Sequence, residues 1–173
     1  MSHPRAKLAF NTSITRKNVM PLLFQIFDLK ELNPYRSMIF EVFDQTYQVP
    51  DEGPKGYETK RSLERIFDHT ECKKHGFGLS NTLMIDSEAK KVRDYKPNSI
   101  VIKPYTINQV LQPSEDQSLI LSEVREWVLT LLEEADDVQE YLEEHKPAFS
   151  CWEELLAGAG EISSLMSELN VKD

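Results

Sequence analysis

Short apolar runs bounded by turn residues alternate along this chain with stretches whose apolar positions recur every three or four residues. Lys7–Asn11 (KLAFN), Met38–Phe43 (MIFEVF), Thr82–Ile85 (TLMI) and Ile100–Ile102 (IVI) read as strands. Between the first two, Val19, Leu22, Leu23, Ile26 and Phe27 have helical spacing, and Asn18 as N-cap would leave Pro21 in the first turn, where proline is tolerated. Gln48–Gly56, with Pro50, Gly53, Pro54 and Gly56, predicts a loop. Thr59–Cys72 predicts a helix facing the core through Leu63, Ile66 and Phe67. Ser118–Glu144 predicts a long amphipathic helix or a helix pair, with the stripe Ile120, Val124, Trp127, Val128, Leu131, Val138, Tyr141 and Leu142, stopped by Pro147. A last amphipathic helix is expected from about Ser150, carrying Trp152, Leu155, Leu156, Ile162, Leu165 and Leu169.

Strands alternating with helices imply an α/β fold whose mostly parallel sheet is covered on both faces. In such sheets chemistry gathers at the carboxyl ends of strands. Two ends stand out: Asn11-Thr12-Ser13 after the first strand and Asp86-Ser87 after the third.

Composition narrows the class. The chain has 173 residues, 40% of them hydrophobic, which suits a folded domain rather than a disordered one. No apolar run reaches the roughly 18 residues of a membrane span, and the first residues offer no secretory h-region. An intracellular protein, nuclear or cytoplasmic, with no membrane partner is therefore expected. Two cysteines, Cys72 and Cys151, are too few for a disulfide framework. The net charge of −9 argues against nucleic acid as a partner. Between Glu115 and Glu144 eleven acidic residues face one basic residue, Arg125, and a solvated helix face explains this run. His69, Cys72 and His75 have the spacing H-x-x-C-x-x-H but no evident fourth ligand, so they read as structural. Phe40, Phe43 and Tyr47 read as core.

Four segments in register carry a resemblance. AFNTSITRKNVMP, VFDQTY, SNTLMIDSEAKK and EEADDVQEYLEEHKP are similar to successive motifs of phosphatases that act on the RNA polymerase II carboxy-terminal domain, within the haloacid dehalogenase superfamily. The resemblance spans roughly residues 7–147. It implies a three-layer Rossmann-like haloacid dehalogenase fold for 1–147, with 148–173 as a C-terminal amphipathic helical extension. It also implies chemistry in which one aspartate attacks phosphorus, a second serves as acid and base, and a hydroxyl and a lysine neutralise the phosphoryl oxygens. Magnesium would be held by carboxylates of the first and fourth motifs.

Against that pattern Thr12 matches the hydroxyl and Asp86 the first carboxylate of the fourth motif. Ser87 stands where the second carboxylate would be. The lysine position aligns with Arg61, and a one-residue shift would place Lys60 there instead. Eleven residues precede Thr12, none of them acidic, and Asp-x-Asp occurs nowhere in the chain. The central nucleophile strand is thus missing, which implies direct pairing of the flanking strands or a strand supplied by another chain. The expectation is a catalytically inactive phosphatase-like domain acting as a protein-binding or scaffolding module, with relic positions Thr12, Lys60, Arg61 and Asp86 able to hold a phosphate or phosphopeptide weakly. No cofactor is expected. The alternative is an active magnesium-dependent protein serine phosphatase whose nucleophile strand lies on a longer isoform or another chain, with Asp86 as a magnesium ligand.

Overall fold

A computed structural model describes residues 6–27, 39–52, 58–104 and 115–152, with the main chain alone for 115–119. The fold is mixed α/β with small parallel sheets, and the chain divides into two compact units, Met1–Phe77 and Gly78–Asp173. No helix among the described residues is long and apolar enough to cross a membrane.

In the first unit β1 (Leu8–Asn11) runs parallel to β2 (Ile39–Phe43), with Asn11 opposite Phe43. Helix α1 (Arg16–Phe27) lies between them in sequence and packs on both. Val19 and Leu23, one turn apart, join Val42 in a core that Phe10, Met20, Phe27 and Ile39 extend. Leu22 and Ile26, assigned to the buried stripe by spacing, lie on the flank of that contact and are exposed. The helix also begins earlier than the Asn18 cap expected. The Thr15 carbonyl accepts the N–H groups of Asn18 and Val19, and Asp44 accepts that of Arg16, so the first turn opens at Arg16. Pro21 consequently sits inside the helix, on its exposed side, where the freed carbonyl can meet water.

After a 3-10 turn at Gln45–Tyr47, strand β3 (Gln48–Pro50) pairs antiparallel with β4 (Thr59–Arg61). Two further corrections to the sequence reading arise here. The loop expected from Gln48 begins as a strand, and the helix expected from Thr59 begins as its partner. QVP and TKR hold no apolar run that would announce a strand, and a proline at a strand end offends no ladder. Ser62 then caps α2 (Leu63–Phe67) by accepting the Arg65 N–H, and the chain breaks at Asp68 before α3 (Thr70–His75). Gly76, at φ 68°, closes α3 in the left-handed conformation that glycine adopts without strain.

In the second unit β5 (Met84–Asp86) runs parallel to β6 (Ser99–Val101), joined through α4 (Ala89–Val92) and a 3-10 segment, Arg93–Asn98. All three β6 residues are buried. Val101 packs on one side with Ala89, Val92, Cys151 and Trp152. Ile100 packs on the other with Leu131 of α5 (Glu115–Glu134) and with Val138, Tyr141 and Leu142 of α6 (Val138–Glu144). Covering on both faces is what a parallel pair requires. The helix pair divides at Asp137, whose carboxylate caps α6 through the N–H groups of Gln139 and Glu140. Asn98, fully buried, donates to the carbonyls of Leu79 and Thr82 and accepts from the Gln139 amide, so one side chain ties the entry to β5 to α6.

The described sheets are three two-stranded ladders, where the sequence suggested one parallel sheet. Residues 150 and 151 run beside β6, and Trp152 is already helical, as the sequence placed the start of the final helix near Ser150. The Cys151 N–H donates to the Val101 carbonyl at 2.8 Å, and the Trp152 indole donates to the Ser99 carbonyl at 3.0 Å. The stripe beyond Trp152 (Leu155, Leu156, Ile162, Leu165, Leu169) lies outside the described residues.

Trp152 is 2% exposed and holds its indole hydrogen bond inside the protein. Trp152→Ala should therefore destabilise the second unit by about 3–5 kcal/mol, the usual cost of emptying a buried tryptophan site. Urea unfolding followed by the remaining Trp127 fluorescence measures it, and a loss under about 1 kcal/mol would show that this segment is not part of the core.

Candidate functional site

Sequence drew attention to the carboxyl end of β1, and the first unit builds a polar cluster there. The hairpin register sets Gln48 opposite Arg61, and both are buried, at 3% and 8% exposed. Arg61 donates from one guanidinium nitrogen to Ser13 Oγ at 3.2 Å and to Gln48 Oε1 at 3.3 Å. Gln48 Nε2 donates to Asn11 Oδ1 at 2.6 Å. The orientations of both amides follow from chemistry. A guanidinium has no acceptor, so Gln48 must turn its oxygen to it; its nitrogen then faces Asn11, which must answer with oxygen. Asn11 Nδ2 is left buried, with no acceptor among the described residues. An orphaned buried donor costs roughly 1–3 kcal/mol.

Thr12 follows directly. Its N–H donates to the Phe43 carbonyl, which fixes it at the strand end, and its Oγ1 accepts the Ile14 N–H at 3.2 Å. Of the two basic candidates, Arg61 reaches this end and Lys60 does not share its face. Lys60 stands opposite Val49, and neighbouring residues of a strand project to opposite sides. The sequence left the choice between them open. It gave no sign of Gln48, since a buried glutamine has no local pattern.

The rim of the cluster is held by two more arginines. Arg65 donates to the main-chain carbonyls of Gln48 at 2.8 Å and Thr46 at 3.1 Å. Arg16 donates to the Val42 carbonyl and to Glu41. Asp44 binds the start of α1 to the 3-10 turn: one carboxylate oxygen takes the Arg16 N–H, the other the N–H and hydroxyl of Thr46. The Thr46 hydroxyl is the main reason that the Asp44 carboxyl lies below its ordinary range. Partial burial opposes the shift, and the Thr46 and Arg16 N–H groups and the Arg16 charge assist it. Burial, with help from Glu41 and Asp44, raises the Tyr47 phenol.

The histidines and Cys72 are occupied by packing. His69 lies edge-on to Phe43 and Tyr47, and His75 lies against Phe40 and Phe77. Cys72 is buried, and burial, then Glu41 and Glu71, raises its thiol. Thiolate chemistry is disfavoured by that environment.

Asp86 ends β5 in the second unit. Its Oδ1 accepts the Glu88 N–H at 3.0 Å, and Glu88 pairs with Lys91 at 2.9 Å. Among the described residues no three His, Cys, Asp or Glu side chains gather as metal ligands. Asp86 and Glu88 are thus both engaged within their own loop. Comparison with known proteins assigns no family: no family model matches the chain, and no curated protein matches it.

Asp44 makes stability depend on pH with a defined sign. Its folded pKa is depressed, so its contribution is present above the ordinary aspartate value near ~3.9 and is lost as pH falls through the folded value. Asp44→Asn should remove that part of the acid dependence. Thermal melts of both proteins over the acid range check it, and superposed curves of equal slope would show that Asp44 does not couple folding to pH.

Proposed function

We propose that the chain is a non-catalytic, phosphatase-like module of the haloacid dehalogenase type, which binds protein partners and receives a phosphate or phosphorylated segment at the carboxyl end of β1. One observation carries the reading: the hairpin delivers the Arg61 guanidinium to Ser13, next to Thr12, across 48 residues of sequence. A positive charge beside strand-end hydroxyls is an anion-recognition pairing. Thr12 supports it further, because its oxygen takes a main-chain N–H and its hydroxyl proton remains for an outside acceptor. The buried amide of Asn11 adds a donor in want of an acceptor.

The Rossmann-like part of the proposal draws support from β6, which is parallel to its neighbour and buried on both faces. The non-catalytic part rests on the residues available. No Asp-x-Asp pair occurs in this sequence, and after Asp86 a serine, Ser87, stands where the second carboxylate of the resembled motif would be. Binding without a nucleophile retains an anion and does not turn it over.

Calorimetry of the full chain with inorganic phosphate and with a phosphoserine peptide tests the binding. Both should bind, and Thr12→Val or Arg61→Met should each weaken binding by about ten- to a hundredfold, the value of a charge-assisted hydrogen bond. A melt on each variant separates lost binding from lost folding. Turnover of p-nitrophenyl phosphate should stay at background with magnesium present. Magnesium-dependent turnover abolished by Asp86→Ala would overturn the non-catalytic reading, and failure of both anions to bind would overturn the recognition site.

A further inference from the structure

Arg65 is exposed, yet its side chain is not loose. The guanidinium is clamped on two main-chain carbonyls, Gln48 and Thr46. No ion pair of Arg65 occurs among the described residues, although Glu64 is its neighbour in sequence. Glu64 turns instead to Ser62, whose hydroxyl it accepts at 3.1 Å. Carbonyl contacts orient a guanidinium without neutralising it. The result is a fixed positive charge at the surface, with the entropy of holding a long side chain already lost in the unbound state.

The position of that charge gives it a role. Arg61 and Arg65 both hydrogen-bond Gln48, one through the side-chain oxygen and the other through the main-chain oxygen. The reach of one glutamine and its two hydrogen bonds puts the two guanidiniums on the order of 10 Å apart. Along an extended peptide, residues i and i+2 project to the same side roughly 7 Å apart. Two anionic side chains at that interval would meet the two arginines together.

Resting on the recognition site proposed above, we infer that its ligand is a doubly phosphorylated segment, with one phosphoserine at the Arg61 end of β1 and a second two residues away on Arg65. The inner site supplies recognition of a phosphoryl group as such. Arg65 supplies selection of the segment that carries another beside it. A lone phosphate engages only the first.

Titration of the full chain with three probes tests this: inorganic phosphate, a peptide with one phosphoserine, and the same peptide with phosphoserines at i and i+2. The doubly phosphorylated peptide should bind about tenfold or more tightly than the singly phosphorylated one. Arg65→Gln should cancel that difference, and Arg65→Lys, which keeps the charge, should retain part of it. Equal affinity of the two peptides for the parent protein, or a difference that survives Arg65→Gln, overturns the inference while the inner site stands. Loss in Arg65→Lys as complete as in Arg65→Gln would assign Arg65 to holding the Gln48 turn instead. Phosphate and both peptides failing to bind the parent protein would overturn the inner site and this inference together.

Discussion

A buried guanidinium can give hydrogen bonds but cannot take them, and in the first unit that one-sidedness organises the end of β1. Arg61 compels Gln48 to present oxygen, Gln48 compels Asn11 to do the same, and the excess of donors is passed outward along the chain of amides. The arrangement depends on register. Slipping β4 by one residue against β3 would turn Arg61 away and bring Lys60 round, exchanging a planar fork for a point charge. Pairing of two three-residue strands thus decides the chemistry of a site whose hydroxyls come from a different sheet.

The two units solve the same problem of covering a short parallel ladder by different means. In the first, a single helix packs on β1 and β2 and is tethered at its start by a carboxylate 28 residues away. In the second, β6 is enclosed from two sides: by α4 and Trp152 on one, by α5 and α6 on the other. The buried amide of Asn98 fastens that second arrangement with every one of its described hydrogen bonds satisfied. A saturated amide rigidifies its surroundings, whereas the unsaturated amide of Asn11 marks a place where a further acceptor would lower the energy.

What could be read from sequence follows from how far each cause reaches. The parallel strands announced themselves because three or four apolar or β-branched residues in a row, bounded by turn residues, have few other uses. The division of the long acidic segment at Asp137 was open to reading as a helix pair, since an Asp before a new apolar stripe is a cap in its own right. The start of α1 was not legible, because its cap is Asp44 and lies outside any local window. Strands β3 and β4 were hidden for another reason: QVP and TKR hold their places by pairing, not by hydrophobic pattern. At the candidate site, the sequence singled out Thr12 and Arg61 only by what the resemblance implies, whereas Gln48 and Arg65 acquire meaning only from geometry. Their hydrogen bonds join residues 13 and 17 positions apart, with nothing periodic between them.

The segment after Pro147 has a consequence for how this protein could be cut. Main-chain and indole donors of Cys151 and Trp152 occupy the carbonyls along the outer side of β6, and Ser150 Oγ accepts the Val101 N–H. They close a sheet edge that would otherwise present a row of open hydrogen-bonding groups. Ending a fragment at Pro147 would strip that edge bare and leave an apolar strand able to recruit copies of itself. The second unit therefore extends past Pro147, and the cover of its sheet edge comes from the three residues at which the sequence begins its last helix.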